Sequence, residues 1–167
     1  FSIFYAQVDF GVFHEMLQTE NNPPLYFVLL HFWIKLFGIS AFSTRFMSLL
    51  FSVTTVLFIY KLAIKNFNIR IAVIASLLFT FSNYHIYFSH ETRTYALFAL
   101  LTTISMYAFL SLIKDKSSKK YLILLTISNV LLIYSHFFGF FVLAIQGLSI
   151  LIIKDLRKKI LKEYSLI

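Results

Sequence analysis

From Tyr121 to Ile153 the chain carries no charged residue over 33 consecutive positions. Water offers such a stretch nothing, and a bilayer core accepts it. As one helix it would reach about 50 Å at roughly 1.5 Å per residue, too long for a single crossing. Both flanks are basic: Lys119 and Lys120 precede it, and Lys154, Arg157, Lys158 and Lys159 follow. One crossing would separate those flanks across the membrane, whereas two crossings return them to the same side. The run is therefore read as two spans, turning near His136-Phe137-Phe138-Gly139, where a polar ring and a helix-weakening glycine coincide.

Three earlier stretches have span length: 42–64, 71–89 and 94–113. With 120–136 and 138–154 they make five crossings, and 155–167 is a basic cytoplasmic segment. The expected fold is an all-α polytopic transmembrane bundle. Composition agrees, with 59% of residues hydrophobic and 13% charged, where a soluble domain is nearer half and a quarter. Loop charges then set the orientation. Twelve Lys and Arg residues fall on one side, from Lys61 through Lys162. Only Lys35, Arg45 and Arg93 fall on the other. The lysine-rich side is expected to be cytoplasmic. On that reading the net charge of +8 reflects loop charge, and no nucleic-acid partner is expected.

Residues 1–39 are expected to hold outer-face juxtamembrane helices. In 5–20, Phe10, Phe13, Met16 and Leu17 recur at helical spacing opposite Asp9, His14, Glu15, Gln18 and Glu20. Asn21-Asn22-Pro23-Pro24 breaks that helix. Residues 24–39 are apolar but short, with Pro24 suited to a helix start and Gly38 to a stop. A helix lying in or dipping into the interface is expected. Were it to span, everything before it would be cytoplasmic.

This topology sends Asn22, Pro23, Pro24, Tyr26, Arg45, His90, Glu91, Arg93, Tyr95 and His136 to the extracytoplasmic ends of helices. Glu91 and Arg93 stand out, because charges at a membrane boundary are costly unless paired or used. A carboxylate there can bind a divalent cation, orient an acceptor or take a proton. A guanidinium can clamp a phosphate. The alternative, equally weighted on spacing alone, is that both are turn residues, solvated or paired with each other. On local grounds Asn22-Pro23-Pro24 reads more readily as a plain helix-start turn, and His136 as a packed interfacial histidine, the commoner case. With no cysteine there is no thiolate nucleophile, cysteine metal site or disulfide. No HExxH, paired-histidine or acidic-cluster metal pattern and no phosphate-cradling glycine loop is present. Nothing supports use of a nucleotide sugar or ATP, and no cofactor is expected beyond a divalent cation at Glu91.

Four stretches in order resemble the polytopic glycosyltransferases of the GT-C type. They resemble in particular the bacterial branch that includes protein mannosyltransferase-like, aminoarabinose-transferase-like and RgtA/B/C/D-like proteins. Asn22-Pro23-Pro24-Leu25-Tyr26-Phe27 is similar to His-Pro-Pro-Leu-Tyr-Tyr. Leu36-Phe37-Gly38 and Ser43-Thr44-Arg45-Phe46-Met47-Ser48 follow. Ser89-His90-Glu91-Thr92-Arg93-Thr94-Tyr95-Ala96-Leu97 is similar to Ser-Gln-Glu-x-Arg-x-Tyr-Ala-Leu, and Tyr134-Ser135-His136-Phe137-Phe138-Gly139 to Tyr-Thr-His-Tyr-x-Gly.

The resemblance implies one GT-C membrane domain over 1–167. It implies a polyprenyl-phosphate sugar donor and a lipid, glycan or protein acceptor of the cell envelope. It also implies a multi-pass location in a bacterial inner membrane with an extracytoplasmic active face. The family's main catalytic Asp sits in its first outer loop, and this pattern places it upstream of Phe1; the chain is read as cut at both ends, and alone is expected to be inactive. Glu91 matches the family's second acidic position, with a catalytic or metal-binding role. Asn22, Pro23, Pro24, Tyr26, Arg45, Arg93, Tyr95 and His136 are the candidate substrate-binding residues. Asn22 stands where the family often has His or Lys, so it brings no charge to a phosphate. The rival class is a transporter or lipid flippase, which would place ionisable groups near the midplane; here the charges sit at helix ends.

Overall fold

The computed structural model describes residues 23–115 and 118–152. Asn22, the helix expected over 5–20 and the basic segment 155–167 lie outside them. The described chain is all-α, with no strand among the described residues. Seven helices follow in order: α1 (Leu25–Phe37), α2 (Ala41–Asn66), α3 (Ile69–Thr80), α4 (Asn83–Ser89), α5 (Tyr95–Lys114), α6 (Lys119–Ser135) and α7 (Gly139–Ile152). By length and composition α2 and α5 can each cross a membrane, and α3 with α4 can make a third, broken span.

Burial runs opposite to a soluble bundle. Phe42, Leu36, Leu78, Phe81 and Ile152 are each more than 70% exposed, while Thr44, Ser48, Thr55, Ser105, Ser111 and Ser135 are almost fully enclosed. Lipid tails are as apolar as leucine, so large side chains gain nothing by leaving them. Small side chains let helix backbones approach closely. On α2 the small polar residues Thr44, Ser48, Ser52 and Thr55 recur at spacings of three and four and form its buried stripe. On α5, Ser105, Ala108 and Ser111 recur at spacings of three, following the buried Ala96, Leu97, Leu100 and Leu101. Burying these hydroxyls leaves no debt where they bond within the helix. Thr55 donates to the Phe51 carbonyl at 2.8 Å and Thr44 to the Ser40 carbonyl at 3.1 Å.

Three helices are also tied by side chains. Ser105 of α5 donates to Asn129 Oδ1 of α6 at 2.5 Å, and Asn129 Nδ2 donates to Gln146 Oε1 of α7 at 3.0 Å. Gln146 Nε2 returns to Ser105 Oγ at 2.7 Å. The ring closes on itself, so each amide uses a donor and an acceptor inside the bundle. It contains no ionisable group.

α1 has 13 residues, about 20 Å of helix, short of a bilayer core. Its Tyr26, Phe27 and Leu30 pack into one cluster with Met47 of α2, Leu97 and Leu101 of α5, and Leu132 of α6. α1 thereby caps one end of the bundle. Trp33 Nε1 donates to the Ser43 carbonyl at 3.0 Å and pins α1 to the first turn of α2. Gly38 ends α1 at φ 75°, ψ 174°, a conformation open essentially to glycine alone.

The stretch 71–89, expected as one span, is broken. α3 and α4 meet at a 59° bend although no proline or glycine lies between them. Phe81 N–H bonds back to Leu77, Ser82 N–H to Phe79, and Ser82 then serves as the extended N-cap of α4. α4 lies against α2 and α5 at the same end as α1. The α6–α7 corner is tight: a Cβ on Gly139 would stand 2.8 Å from the Leu132 carbonyl oxygen, while one on Gly147 would meet nothing within 4 Å.

Two stability predictions follow, both readable by denaturant titration in detergent. Gly139→Ala drives a methyl into backbone and should destabilise by about 1–3 kcal/mol, with Gly147→Ala neutral or better. Gln146→Leu opens the three-helix ring and should cost about 1–2 kcal/mol; an unchanged midpoint would mean the ring adds nothing.

Candidate functional site

The two ends of the bundle differ in chemistry. At one end Lys65 Nζ sits 3.8 Å from the Tyr121 ring centroid and 5.5 Å from that of Tyr107, and Lys114 Nζ donates to the Lys65 carbonyl at 2.8 Å. These cations are engaged in joining α2, α5 and α6. The opposite end gathers Pro23, Pro24, Tyr26, Arg45, Glu91, Arg93, Tyr95 and His136.

Glu91 lies in the short connection between α4 and α5. Ser48 of α2 donates to its main-chain carbonyl at 2.8 Å, and Arg93 N–H donates to the same oxygen at 2.9 Å. The connection is thus bolted to α2 across 43 residues of sequence, with Thr94 buried behind it. The Glu91 side chain stays half-exposed and Arg93 exposed. Among the described residues no ion pair forms between them, so as plain turn residues they would be solvated and not paired with each other.

Tyr26 is fully enclosed beneath that connection. Its hydroxyl lies close enough to Ser48 to feel that dipole but outside hydrogen-bonding geometry, and no other described residue bonds it. Burial first, then the nearby Glu91 carboxylate, push its pKa far above the ordinary phenol value, with Ser48 opposing. Tyr26 stays neutral and can only donate or accept a hydrogen bond. Pro23 and Pro24 lead into α1, with the Val28 N–H bonding the Pro24 carbonyl at 3.0 Å; Pro24 supplies the cap position and no side-chain bond. They orient the helix that delivers Tyr26.

Tyr95 and His136 form a second group. His136 sits between α6 and α7 with ring centroids 5.9 Å from Tyr95, 5.1 Å from Phe98 and 4.9 Å from Phe138. Phe138 N–H donates to its Nδ1 at 3.2 Å, which assigns the neutral ring's proton to Nε2. With Nδ1 accepting, the neutral ring faces outward as a donor through Nε2. Phe88 of α4 lies tilted against Tyr95, ring centroids 4.4 Å apart, and bridges this group to the Glu91 connection.

Arg45 stands apart, exposed on the second turn of α2, at a cavity it shares with His90. No group of three or more His, Asp or Glu residues suited to a metal occurs among the described residues. A divalent cation at Glu91 would therefore need its remaining ligands from elsewhere. Sequence reasoning missed Ser48, the residue that fixes Glu91. Its signals were its place at the end of the Ser43-Thr44-Arg45-Phe46-Met47-Ser48 stretch and in the Thr44, Ser48, Ser52, Thr55 stripe, neither of which names its partner.

No curated protein and no solved structure is significantly similar to the chain. Residues 21–167 match the family model described as dolichyl-phosphate-mannose-protein mannosyltransferase. That match takes in the Pro-Pro turn, Arg45, the Glu91 connection and His136 together. The chain belongs to the dolichyl-phosphate-mannose-protein mannosyltransferase family, glycosyltransferases of the GT-C type.

Proposed function

We propose that this chain forms part of an enzyme that moves a sugar from a polyprenyl-phosphate donor to a lipid, glycan or protein acceptor on the extracytoplasmic face of a cell membrane, in a bacterial inner membrane. One observation carries the reading. Glu91, Arg93, Tyr26, Tyr95 and His136 collect at one end of the bundle, opposite the lysine-rich end, around a connection anchored by Ser48. Loop charge assigns the lysine-rich end to the cytoplasm.

The chemistry asked of such a site is limited. The acceptor oxygen attacks the anomeric carbon, the bond from that carbon to the phosphate oxygen breaks, and the phosphate leaves with the electron pair. The acceptor proton passes to a carboxylate. Glu91 orients the acceptor or helps hold a divalent cation. Arg93, unpaired by any described carboxylate, offsets the charge growing on the phosphate. The neutral His136 Nε2–H and the Tyr95 phenol supply hydrogen bonds to hydroxyls of a sugar, on aromatic walls suited to its apolar face. Asn22 would contribute a neutral donor at the same end.

Transport or lipid flipping would instead call for ionisable groups along an internal path. Among the described residues the buried polar side chains of α2, α5, α6 and α7 are hydroxyls and amides, among them the self-bonded Ser105, Asn129 and Gln146 ring, and the buried ionisable rings, Tyr26 and His31, lie on the short end helix α1.

In the full-length enzyme, Glu91→Gln should lower kcat about 100-fold or more with the fold retained, measured as transfer from a synthetic polyprenyl-phosphate sugar. Ser48→Ala should lower it about tenfold by loosening the connection while leaving every reacting group in place. Full activity of Glu91→Gln would remove that carboxylate from the mechanism.

A further inference from the structure

The Tyr26 hydroxyl is a polar group that the fold encloses and leaves without a partner. The residue is 0% exposed, and no described residue bonds its hydroxyl. Burying a hydroxyl unmet costs stability, and a phenylalanine would fill the same space without that cost. We infer that Tyr26 is a positioning residue for Glu91: with substrate at the site its hydroxyl donates to one oxygen of the Glu91 carboxylate and fixes the direction of the other. The inference rests on Glu91 acting in sugar transfer, as proposed above. It supplies what Ser48 does not, a hold on the carboxylate itself.

The bonds already in place hold only the main chain of Glu91. Ser48 Oγ donates to its carbonyl at 2.8 Å, and Arg93 N–H donates to the same oxygen at 2.9 Å. The carboxylate has neither a hydrogen bond nor an ion pair among the described residues, so no described side chain fixes its rotamer. Two acceptors bear on the Tyr26 hydroxyl, the Ser48 oxygen and the Glu91 carboxylate. Ser48 has given its proton to the Glu91 carbonyl and lies outside hydrogen-bonding geometry from the phenol. The carboxylate is the stronger acceptor of the two. A hydrogen bond to an ionised oxygen is about twice as strong as one between neutral groups, and enclosed surroundings screen it little.

The phenol suits this task. Burial and the neighbouring carboxylate hold it neutral, so it keeps a proton to donate. Its ring is packed among Phe27, Leu30, Met47, Leu97, Leu101 and Leu132, and a donor on a packed ring has one direction, where a flexible lysine would have many. The consequence for Glu91 is directional. One oxygen tied inward leaves the other on the open side of the connection, where an acceptor or a divalent cation arrives. The bond also favours the charged form, which makes Glu91 an orienting carboxylate and a poor base.

The test uses the full-length enzyme in detergent with a synthetic polyprenyl-phosphate sugar, reading kcat, donor KM and melting temperature. Tyr26→Phe keeps the ring and removes only the hydroxyl. It should lower kcat about tenfold, leave donor KM unchanged, and leave the melting temperature unchanged or raised. Added to Glu91→Ala, it should lower the residual kcat no further, because the hydroxyl acts through the carboxylate. Full kcat in Tyr26→Phe would overturn the inference, as would a lowered melting temperature, which marks a structural role. A raised donor KM, or a loss that persists undiminished on Glu91→Ala, would overturn it too, since the hydroxyl would then touch substrate itself. Glu91→Gln assayed beside these separates the two ideas. If it is inactive while Tyr26→Phe is fully active, the inference alone fails; if it is fully active, the role of Glu91 on which the inference rests fails.

Discussion

In a bilayer a leucine gains nothing by exchanging lipid for protein, so this bundle must be joined by something other than the hydrophobic effect. Two kinds of contact do it. Small residues on α2 and α5 let those backbones meet closely, and side-chain hydrogen bonds tie α1, α6, α7 and the α4–α5 connection to them. The Ser105, Asn129 and Gln146 ring holds α7 to α5 and α6. The Ser48 bond holds the α4–α5 connection to α2. Each such bond is modest, but few contacts compete with it. Helix positions at either end are therefore set by a handful of named side chains.

That economy shapes the chemistry. A carboxylate on a loose interfacial loop would sample many positions and serve none well. Glu91 escapes this because its own carbonyl is gripped from α2 and Tyr26 of α1 fills the space beneath it. α1 is too short to cross and instead packs across the end of the bundle, closing its interior. The same placement brings Trp33 against Ser43 and Phe46. One short helix thus supports both the Glu91 connection and the Arg45 cavity. Solvent reaches the half-exposed side chain of Glu91 and the exposed ones of Arg93 and Arg45.

Much of this was legible in the sequence for a physical reason. Hydropathy reports the solvent, and the solvent here dictates helices; the all-α fold follows from backbone groups that must bond internally in lipid. Polar residues in an apolar field are conspicuous, which is why Glu91, Arg93, Tyr95 and His136 stood out before any contact was known. The broken helix at Phe81-Ser82-Asn83 did not, because 71–89 has the length of a span and no proline or glycine marks the bend. It comes from the Phe81 and Ser82 N–H groups turning back to the end of α3 and from the packing of α4 on α2. The role of Ser48 and the pairing of Arg45 with His90 were hidden as well. Both join residues more than 40 positions apart, and local pattern holds no information about such partners. The Ser105, Asn129 and Gln146 ring is of the same kind, three unremarkable polar residues that acquire meaning only together.

The account turns on which side of the membrane its polar end faces. Single cysteines at Thr92 and Ser118, in a background without other reactive thiols, can be treated in intact cells with a membrane-impermeant maleimide. The chain itself contributes no cysteine. The account predicts that Thr92 labels at once and that Ser118 labels only after the cells are opened. Labelling of both from one side, or of Ser118 alone in intact cells, would contradict it.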